Sequence, residues 1–367
     1  MTDLHYTDLR SVGISRHKRG RGFSYHAPDG NRVSDEPTIA RIAALALPPA
    51  WREVWICISP LGHIQATGTD AAGRRQYRYH DHWRTCRDRM KFERMLEFAQ
   101  ALPQLRTAVA EDLQRPELDR NRVLACSARL LDRGFFRIGS EQYAEENETY
   151  GLATICREHV QLGSGNRVVF DYVAKAKKRR IQSVVDPAVY EIVAALKARR
   201  GKGRELLAYR RNGRWCDVRS TEINDYLKDH AGGEFSAKDF RTWNATVLAA
   251  VGLAVSTEAA ETEASRNRVG TRVIAEVARY LGNTPAVCRS SYVDPRVFER
   301  YEEGLTIDDA LGLDSFPGAH EELERAVLDL LERGRGNARR DSEECATHAW
   351  DDPARRERLR QIARCAA

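Results

Sequence analysis

Residues Leu281–Pro295 read L-G-N-T-P-A-V-C-R-S-S-Y-V-D-P. Gly282 and Asn283 close the amphipathic run R-V-I-A-E-V-A-R-Y-L before them, as a glycine just past a helix C-terminus does. Thr284 fits an N-cap, with Pro285 at the first helical position, where its missing N–H costs nothing. Asp294-Pro295 repeats the start signal. The stretch is therefore a short helix between two junctions, with Asn283 at the first and Tyr292 near the second. Junctions present side chains to a substrate, whereas helix interiors mostly present them to a core. A tyrosine at a helix end is by itself more often packing than chemistry, so the rest of the chain has to decide.

Length allows two domains and a substantial core: the chain has 367 residues. Lys and Arg number 59 against 53 Asp and Glu, a net charge of +6, which permits a nucleic-acid partner without requiring one. No apolar run approaches the roughly 18 residues of a transmembrane helix, and the N-terminus has no secretory signal, so no membrane partner is expected. The eight cysteines stand singly, with no C-x-x-C. Neither a zinc site nor a redox pair is suggested, and free thiols in a reducing cytoplasm are the expectation.

Outward from the opening stretch, the chain changes character once. Met1–Arg21 is polar and basic and reads as a mobile arm. G-F-S-Y-H-A-P-D-G-N-R-V (22–33) reads as a hairpin about Asp29-Gly30. A helix is expected over Thr38–Leu47, then strands at Glu53–Ser59 and His63–Thr69. Gly73–Trp83, G-R-R-Q-Y-R-Y-H-D-H-W, reads as one alternating segment. It is either an edge strand guarded by Arg74, Arg75 and Arg78 or a strand facing DNA. Helical runs follow at Asp81–Ala101, Pro103–Leu113 and Asp119–Asp132, which places a domain boundary near residues 85–100. In F-F-R-I-G (135–139), Arg137 emerges from an apolar setting, with Glu141, Glu145 and Glu146 as candidate partners. Thr154–Leu162, Arg167–Ala174 and Arg179–Val185 read as three strands, with A-K-A-K-K-R turning between the last two. Ser236–Asp239 forms an S-x-x-D capping box for a helix over Lys238–Val251. That puts Arg241 near a helix N-terminus, as a surface residue or as part of an anion site. Pro317–Arg333 suggests one more helix, and the Arg/Glu/Asp-rich tail beyond it a solvated or partly disordered segment.

Arg137, Lys175, Arg241, Asn283 and Tyr292 are spread along the chain, so no local geometry unites them. Together, however, their settings resemble the type IB DNA topoisomerases in the small form shared by poxviruses and bacteria. F-F-R-I-G-S-E-Q-Y-A-E-E-N-E-T-Y-G-L resembles the first arginine motif, A-K-A-K the hairpin lysine, K-D-F-R-T-W the second arginine motif and G-N-T-P-…-S-S-Y the nucleophile motif. G-R-R-Q-Y-R-Y-H resembles the DNA-contacting strand of the N-terminal domain. The resemblance runs in order over roughly residues 20 to 310.

That resemblance implies an α+β chain in three parts: a β-sheet DNA-binding domain (1–92), a mainly helical catalytic domain with a three-stranded sheet (93–315), and a charged C-terminal helix or tail (316–367). It implies Tyr292 as the nucleophile that forms a 3′-phosphotyrosyl enzyme. Arg137 and Arg241 would be the charge clamp, Lys175 the proton donor to the 5′ oxygen, and Asn283 a further donor. Arg74, Arg75, Gln76, Tyr77, Tyr79, Gln142 and Tyr143 would be DNA contacts. The expected partner is duplex DNA, gripped by a nucleoid-associated cytoplasmic monomer acting as a clamp. No ATP and no obligatory metal is expected, with Mg²⁺ at most a stimulant. Three departures stand out. Asn283 replaces the histidine commoner in the family, though asparagine is common in the bacterial branch. A-K-A-K replaces the poxviral G-K-D-K, so the choice of Lys175 over Lys177 rests on alignment. Trp243 replaces a tyrosine. A tyrosine recombinase, which usually carries His where this chain has Lys238, and a non-catalytic DNA-binding protein are the alternatives.

Overall fold

Ile14 is only 4% exposed, and the basic segment around it is a strand rather than a mobile arm. The computed structural model describes residues 4–201, 203–256, 262–307 and 320–333. Ile14–Arg19 (β1) pairs antiparallel with Gly22–His26 (β2), from Arg19 opposite Gly22 to Ser15 opposite His26. The two-residue turn needs the left-handed backbone of Gly20, φ 56°. The Asp29-Gly30 turn also forms, but beyond it only Arg32 pairs, in an isolated bridge to His26. The hairpin was therefore expected one strand too late. Charge misled the reading. Arg16 turns inward, stacks over Phe23 at 4.3 Å and donates to the carbonyls of Leu47, Pro48 and Trp51.

Contacts divide the chain into two units, the division falling at Lys91/Phe92 inside the helix Asp81–Leu113 (α2). In the first, β1 and β2 join Arg52–Ile56 (β3), Ile64–Thr69 (β4) and Arg75–Tyr79 (β5) in an antiparallel sheet of order β2-β1-β3-β4-β5. One face buries Ile14, Val54, Ile56 and Ala66 with Ile42 of Glu36–Ala44 (α1). The other face follows from the registers: Ser15 opposes Trp55, Trp55 opposes Thr67, and Thr67 opposes Tyr77.

His63 ties the N-terminal segment to this unit. Its Nδ1 accepts from the Thr7 N–H at 2.9 Å, and burial holds its pKa down at about 4 against an ordinary 6.5. A buried neutral imidazole binds fewer protons than its unfolded form between those two values. Its stabilisation is therefore complete above about pH 6.5 and is lost as pH falls toward 4. Acid should lower the thermal midpoint of this unit over that window, and His63→Gln, which cannot titrate, should flatten the slope. A slope unchanged in the variant would contradict the assignment.

The second unit is mainly helical. Arg120–Gly134 (α3) and Glu141–Asn147 (α4) precede the antiparallel sheet Val160–Leu162 (β6), Arg167–Ala174 (β7) and Lys178–Val185 (β8), of order β6-β7-β8. Pro187–Ala198 (α5) and the hairpin Ala208–Arg211 (β9) and Arg214–Asp217 (β10) follow, turned at Asn212-Gly213. Then come Ser220–Ala231 (α6), Ala237–Ala254 (α7), Glu263–Leu281 (α8), Pro285–Ser291 (α9), Arg296–Glu302 (α10) and His320–Glu332 (α11). An α+β fold, as expected, therefore carries a helical body with one small three-stranded sheet.

Two expectations change. α2 runs straight through Pro103, which is exposed while Leu102 and Leu105 on either side are 1% exposed. Burial of the apolar stripe outweighs the one missing N–H. Of Thr154–Leu162, only the last three residues form a strand; two 3₁₀ turns precede them. The helix expected over Pro317–Arg333 forms as α11, and its Val327, Leu330 and Leu331 are buried. Its Glu324 accepts from the Trp243 indole at 2.9 Å and, with Asp132, pairs with Arg106. Trp243 thus has a partner that a tyrosine would reach differently. The W-D-D-P and R-R-E-R-L-R stretches lie outside the described residues.

Candidate active site

The C-terminus of α8 assembles the site. Gly282 follows the last helical turn at φ 66°, with its N–H on the Arg279 carbonyl and the Asn283 N–H on the Ala278 carbonyl. This is the glycine-terminated cap read from the sequence. Among the described residues it leaves the carbonyls of Tyr280, Leu281 and Gly282 without backbone donors, at the negative end of the helix dipole. Three arginines from three other elements meet them. Arg180 of β8 donates to Tyr280 at 2.6 Å and to Arg279 at 3.1 Å. Arg241 of α7 donates to Leu281 at 2.9 Å. Arg137, in the loop after α3, donates to Gly282 at 3.1 Å and also to Asn283 Oδ1.

Each arginine is placed by its own local chemistry. α3 ends at Phe135 in a left-handed conformation, φ 54°. The Arg137 and Ile138 carbonyls then accept from Leu152 and Ala153 N–H, both at 2.8 Å. That pairing brings Gly139 and Gly151 back to back, so close that a Cβ on Gly151 would lie 2.4 Å from the Gly139 Cα. The glycines of F-F-R-I-G and T-Y-G-L therefore fix the backbone beneath Arg137. None of the glutamates expected to partner Arg137 does so in the described contacts. Glu141 instead accepts from Ser220 N–H at the start of α6, and Glu146 from Gln142. Charge proximity along the chain lost to helix carbonyls distant in sequence.

Arg241 is not a surface residue. It is 4% exposed, donates through Nη1 to the Phe135 carbonyl at 2.6 Å, and its guanidinium carbon lies 5.3 Å from the Tyr292 ring centroid. Burial, with Arg137 nearby, lowers its pKa to about 10. The Tyr292 hydroxyl lies beside this guanidinium, yet the buried Arg241 Nε–H makes no well-aligned hydrogen bond among the described residues, and the Asn283 amide nitrogen has no partner there either. Because Arg137 donates to Oδ1, the Asn283 amide is turned so that Nδ2 is the free donor. An unmet buried donor costs about 1–3 kcal/mol, so two of them in one site point to an acceptor that arrives from outside.

Tyr292 caps α9, which starts as expected with Thr284 accepting from Val287 N–H and Pro285 at the first position. The backbone after it is held from α7: Thr246 Oγ1 accepts from Asp294 N–H at 3.2 Å, gives its single proton to the Thr242 carbonyl at 2.9 Å, and lies 3.4 Å from the Tyr292 carbonyl. Asp294 in turn pairs with Arg296 at 2.7 Å. Burial raises the Tyr292 phenol pKa, but Arg241, Arg137 and Lys238 together outweigh it and leave the pKa below that of an ordinary tyrosine.

Arg137, Arg241, Asn283 and Tyr292 are thus brought together. Lys175 is not tied to them: it is exposed on the hairpin turn Lys175–Lys177, and no hydrogen bond or ion pair among the described contacts joins it to them. Ala176 and Lys177 both take positive φ, 63° and 54°. Lys175 and Lys177 therefore lie in a turn, not on one face of a strand. Lys238, one turn before Arg241, entered the sequence reading only as the position where a recombinase usually carries His, and Arg180 is a neighbour that the sequence did not single out.

The expected DNA contacts divide. Arg75, Tyr77 and Tyr79 alternate onto the sheet face opposite α1; Tyr77 is 44% exposed and stacks with Tyr79, centroids 6.1 Å apart, and Arg75 donates to Thr67 at 2.8 Å. Gln76 falls on the other side of the strand. It and Arg74 are held by Asp70 in the turn before β5, at 2.9 and 3.0 Å. Gln142 and Tyr143 are exposed on α4.

Comparison with known proteins follows this geometry. Residues 80–309 match the family model described as eukaryotic DNA topoisomerase I, catalytic core, and residues 22–70 that of the bacterial DNA topoisomerase IB N-terminal domain. A DNA topoisomerase 1B of Acanthamoeba polyphaga mimivirus is 30% identical over 79% of this chain and 88% of its own length. The DNA topoisomerase I of Monkeypox virus is 20% identical over 66% of this chain and 73% of its own. A DNA topoisomerase 1 of Candidozyma auris is 29% identical over 43% of this chain but only 20% of that longer protein.

Proposed function

The chain belongs to the type IB DNA topoisomerases, and from that premise we propose that it relaxes positive and negative supercoils through a 3′-phosphotyrosyl intermediate on Tyr292. The observation that carries the reading is the pair of unmet buried donors, Arg241 Nε and Asn283 Nδ2, beside a phenol whose pKa is lowered by two guanidiniums. A scissile phosphate seated there gives each donor a non-bridging oxygen. The Tyr292 phenol gives up its proton to solvent, its oxygen forms a bond to phosphorus as the bond to the 5′ oxygen breaks, and Lys175 gives that leaving oxygen a proton. Charge on the phosphoryl oxygens grows in the transition state, where donors in a partly buried site count most. The broken bond's energy stays in the phosphotyrosyl ester, so the free 5′ end swivels and is rejoined without ATP. Guanidinium and ammonium groups supply the charge neutralisation that a metal supplies elsewhere. We extend the proposal to a cytoplasmic monomer that clamps duplex DNA, with Arg75, Tyr77, Tyr79 and Tyr143 the best placed contacts.

Plasmid relaxation in excess chelator without ATP tests the reading, and both signs of supercoil should relax. A strict Mg²⁺ requirement for the cleavage step would contradict it. Stimulation by Mg²⁺ would not, because divalent ions also alter DNA binding.

The proton donor has its own test. Lys175→Ala should cleave ordinary DNA about 10²–10⁴-fold more slowly, the usual worth of general acid catalysis. On DNA whose bridging 5′ oxygen is replaced by sulfur, a leaving group that needs no proton, it should approach the wild-type rate. Lys177→Ala should show little defect on either substrate. The opposite pattern would make Lys177 the donor.

A further inference from the structure

The inward side chains of β8 connect the lysine hairpin to both halves of the site. Gln182 accepts from the Tyr172 hydroxyl at 2.8 Å and donates to the Gly134 carbonyl, where α3 gives way to the Arg137 loop. Two residues nearer the tip, Arg180 reaches the opposite side and grips the α8 terminus through Arg279 and Tyr280. The grip is close: a Cβ on Gly282 would lie 2.9 Å from the Arg180 Nη1. Beyond Arg180 toward the turn, Lys175, Ala176, Lys177, Lys178 and Arg179 are all exposed. Arg179 pairs with Asp171 across the hairpin at 2.5 Å, which holds the hairpin to itself and not to the site. Arg180 is half-buried, and burial, with Arg137 nearby, keeps its pKa below the usual arginine value despite Tyr172 beside it. Both terminal nitrogens of this guanidinium donate to α8 carbonyls, which fixes the side chain on the helix end.

We propose that Arg180 is a positioning residue for the proton donor: by clasping the C-terminal carbonyls of α8 from within the hairpin, it holds the Lys175 turn over the junction that carries Asn283 and Tyr292. The proposal rests on the reading of Lys175 as general acid. At about 3.3 Å per strand residue the turn lies roughly 10 Å beyond Arg180. A small rotation at this anchor is therefore magnified at Lys175, and a misplacement of about 1 Å is enough to cost about 10²-fold in rate.

The test uses the full-length protein in single-turnover cleavage of duplexes with oxygen or sulfur at the bridging 5′ position. The variants are Arg180→Ala, Arg180→Met, which keeps the packing stem without donors, Arg180→Lys, and each of the first two combined with Lys175→Ala. Arg180→Ala and Arg180→Met should cleave ordinary DNA about 10²-fold more slowly, recover on the sulfur substrate, and lie within about twofold of Lys175→Ala when combined with it. Arg180→Lys, which retains a donor for one carbonyl, should be intermediate. Amide exchange over residues 173–180 should quicken while the thermal midpoint stays near wild type. Multiplicative defects without sulfur rescue would overturn the proposal, as would wild-type rates. If Lys175→Ala itself is not rescued by sulfur, the general-acid reading fails. The tether is then decided separately, by the double variants and by exchange, and unchanged exchange at the turn would end it.

Discussion

Tyr292→Phe is expected to bind duplex DNA as wild type does and to form no covalent adduct. The substitution removes one oxygen and nothing that holds the junction. Tyr292 is fixed through its backbone, by its N–H on the Cys288 carbonyl and by the hold of Thr246 on Asp294 N–H, and its ring rests against Arg241. The phenylalanine ring keeps that contact, so the arginines and Asn283 should remain in place and the variant should fold and bind. The wild-type pH profile carries a second signature. Arg241 is the largest of the influences that lower the Tyr292 pKa. Cleavage that rises with pH as the phenol ionises should therefore reach its plateau at lower pH in the wild type than in Arg241→Ala, where the phenol loses its main counter-charge. Adduct formation by Tyr292→Phe at the wild-type level would remove the nucleophile assignment.

Arg241→Lys should lose about 10²–10³-fold in cleavage rate, the typical cost of one oxyanion donor, while DNA binding changes little. Arg241 does three things from one planar group: Nη1 donates to Phe135, Nη2 to Leu281, and Nε–H is left for a substrate oxygen. A lysine ammonium carries its donors on one atom and cannot span two carbonyls and a phosphate together. Because the lysine keeps a positive charge, the variant should retain part of the lowering of the Tyr292 pKa, so its loss should appear as rate and less as a shifted profile. Asn283→Ala should be milder, and Asn283→His, which can accept from Arg137 with one nitrogen and donate with the other, should retain activity. Near wild-type cleavage by Arg241→Lys would reduce this arginine to a phosphate anchor away from the reacting bond.

What could be read from the sequence was chemistry confined to a few neighbouring residues. Gly282 as a left-handed terminus, Thr284 as a cap and Pro285 at the first position each act within one turn, and each stands where expected. The misreadings share a different cause. Arg16 looked solvated because its partners are carbonyls some thirty residues away. Arg137 looked tied to nearby glutamates, yet it answers to a helix end distant in the chain. Pro103 looked like a break because the packing of Leu102 and Leu105 leaves no local mark. Gln76 looked equivalent to its strand neighbours until Asp70 and the pairing register assigned it the other face. Arg180 carried no signal at all: its place depends on the register of β8 and on where α8 ends, and neither is written at position 180.

The α8 terminus explains how residues so scattered become one site. A helix end with three uncapped carbonyls attracts cations, and the fold answers with three arginines from β8, α7 and the loop after α3. Their charges sit close together before any DNA arrives, held apart from one another by carbonyl dipoles. The arrangement orients the guanidiniums in advance, which spares the reaction the cost of ordering long side chains around a phosphate.

The most direct test of the account is to quench cleavage with denaturant on a duplex labelled on either side of the break, then digest the trapped adduct and locate it by mass spectrometry. One modified peptide is expected, joined through Tyr292 to the 3′-phosphoryl end, formed in chelator and absent from Tyr292→Phe. An adduct on another residue, a 5′-phosphoryl linkage, or relaxation with no trappable adduct would contradict it.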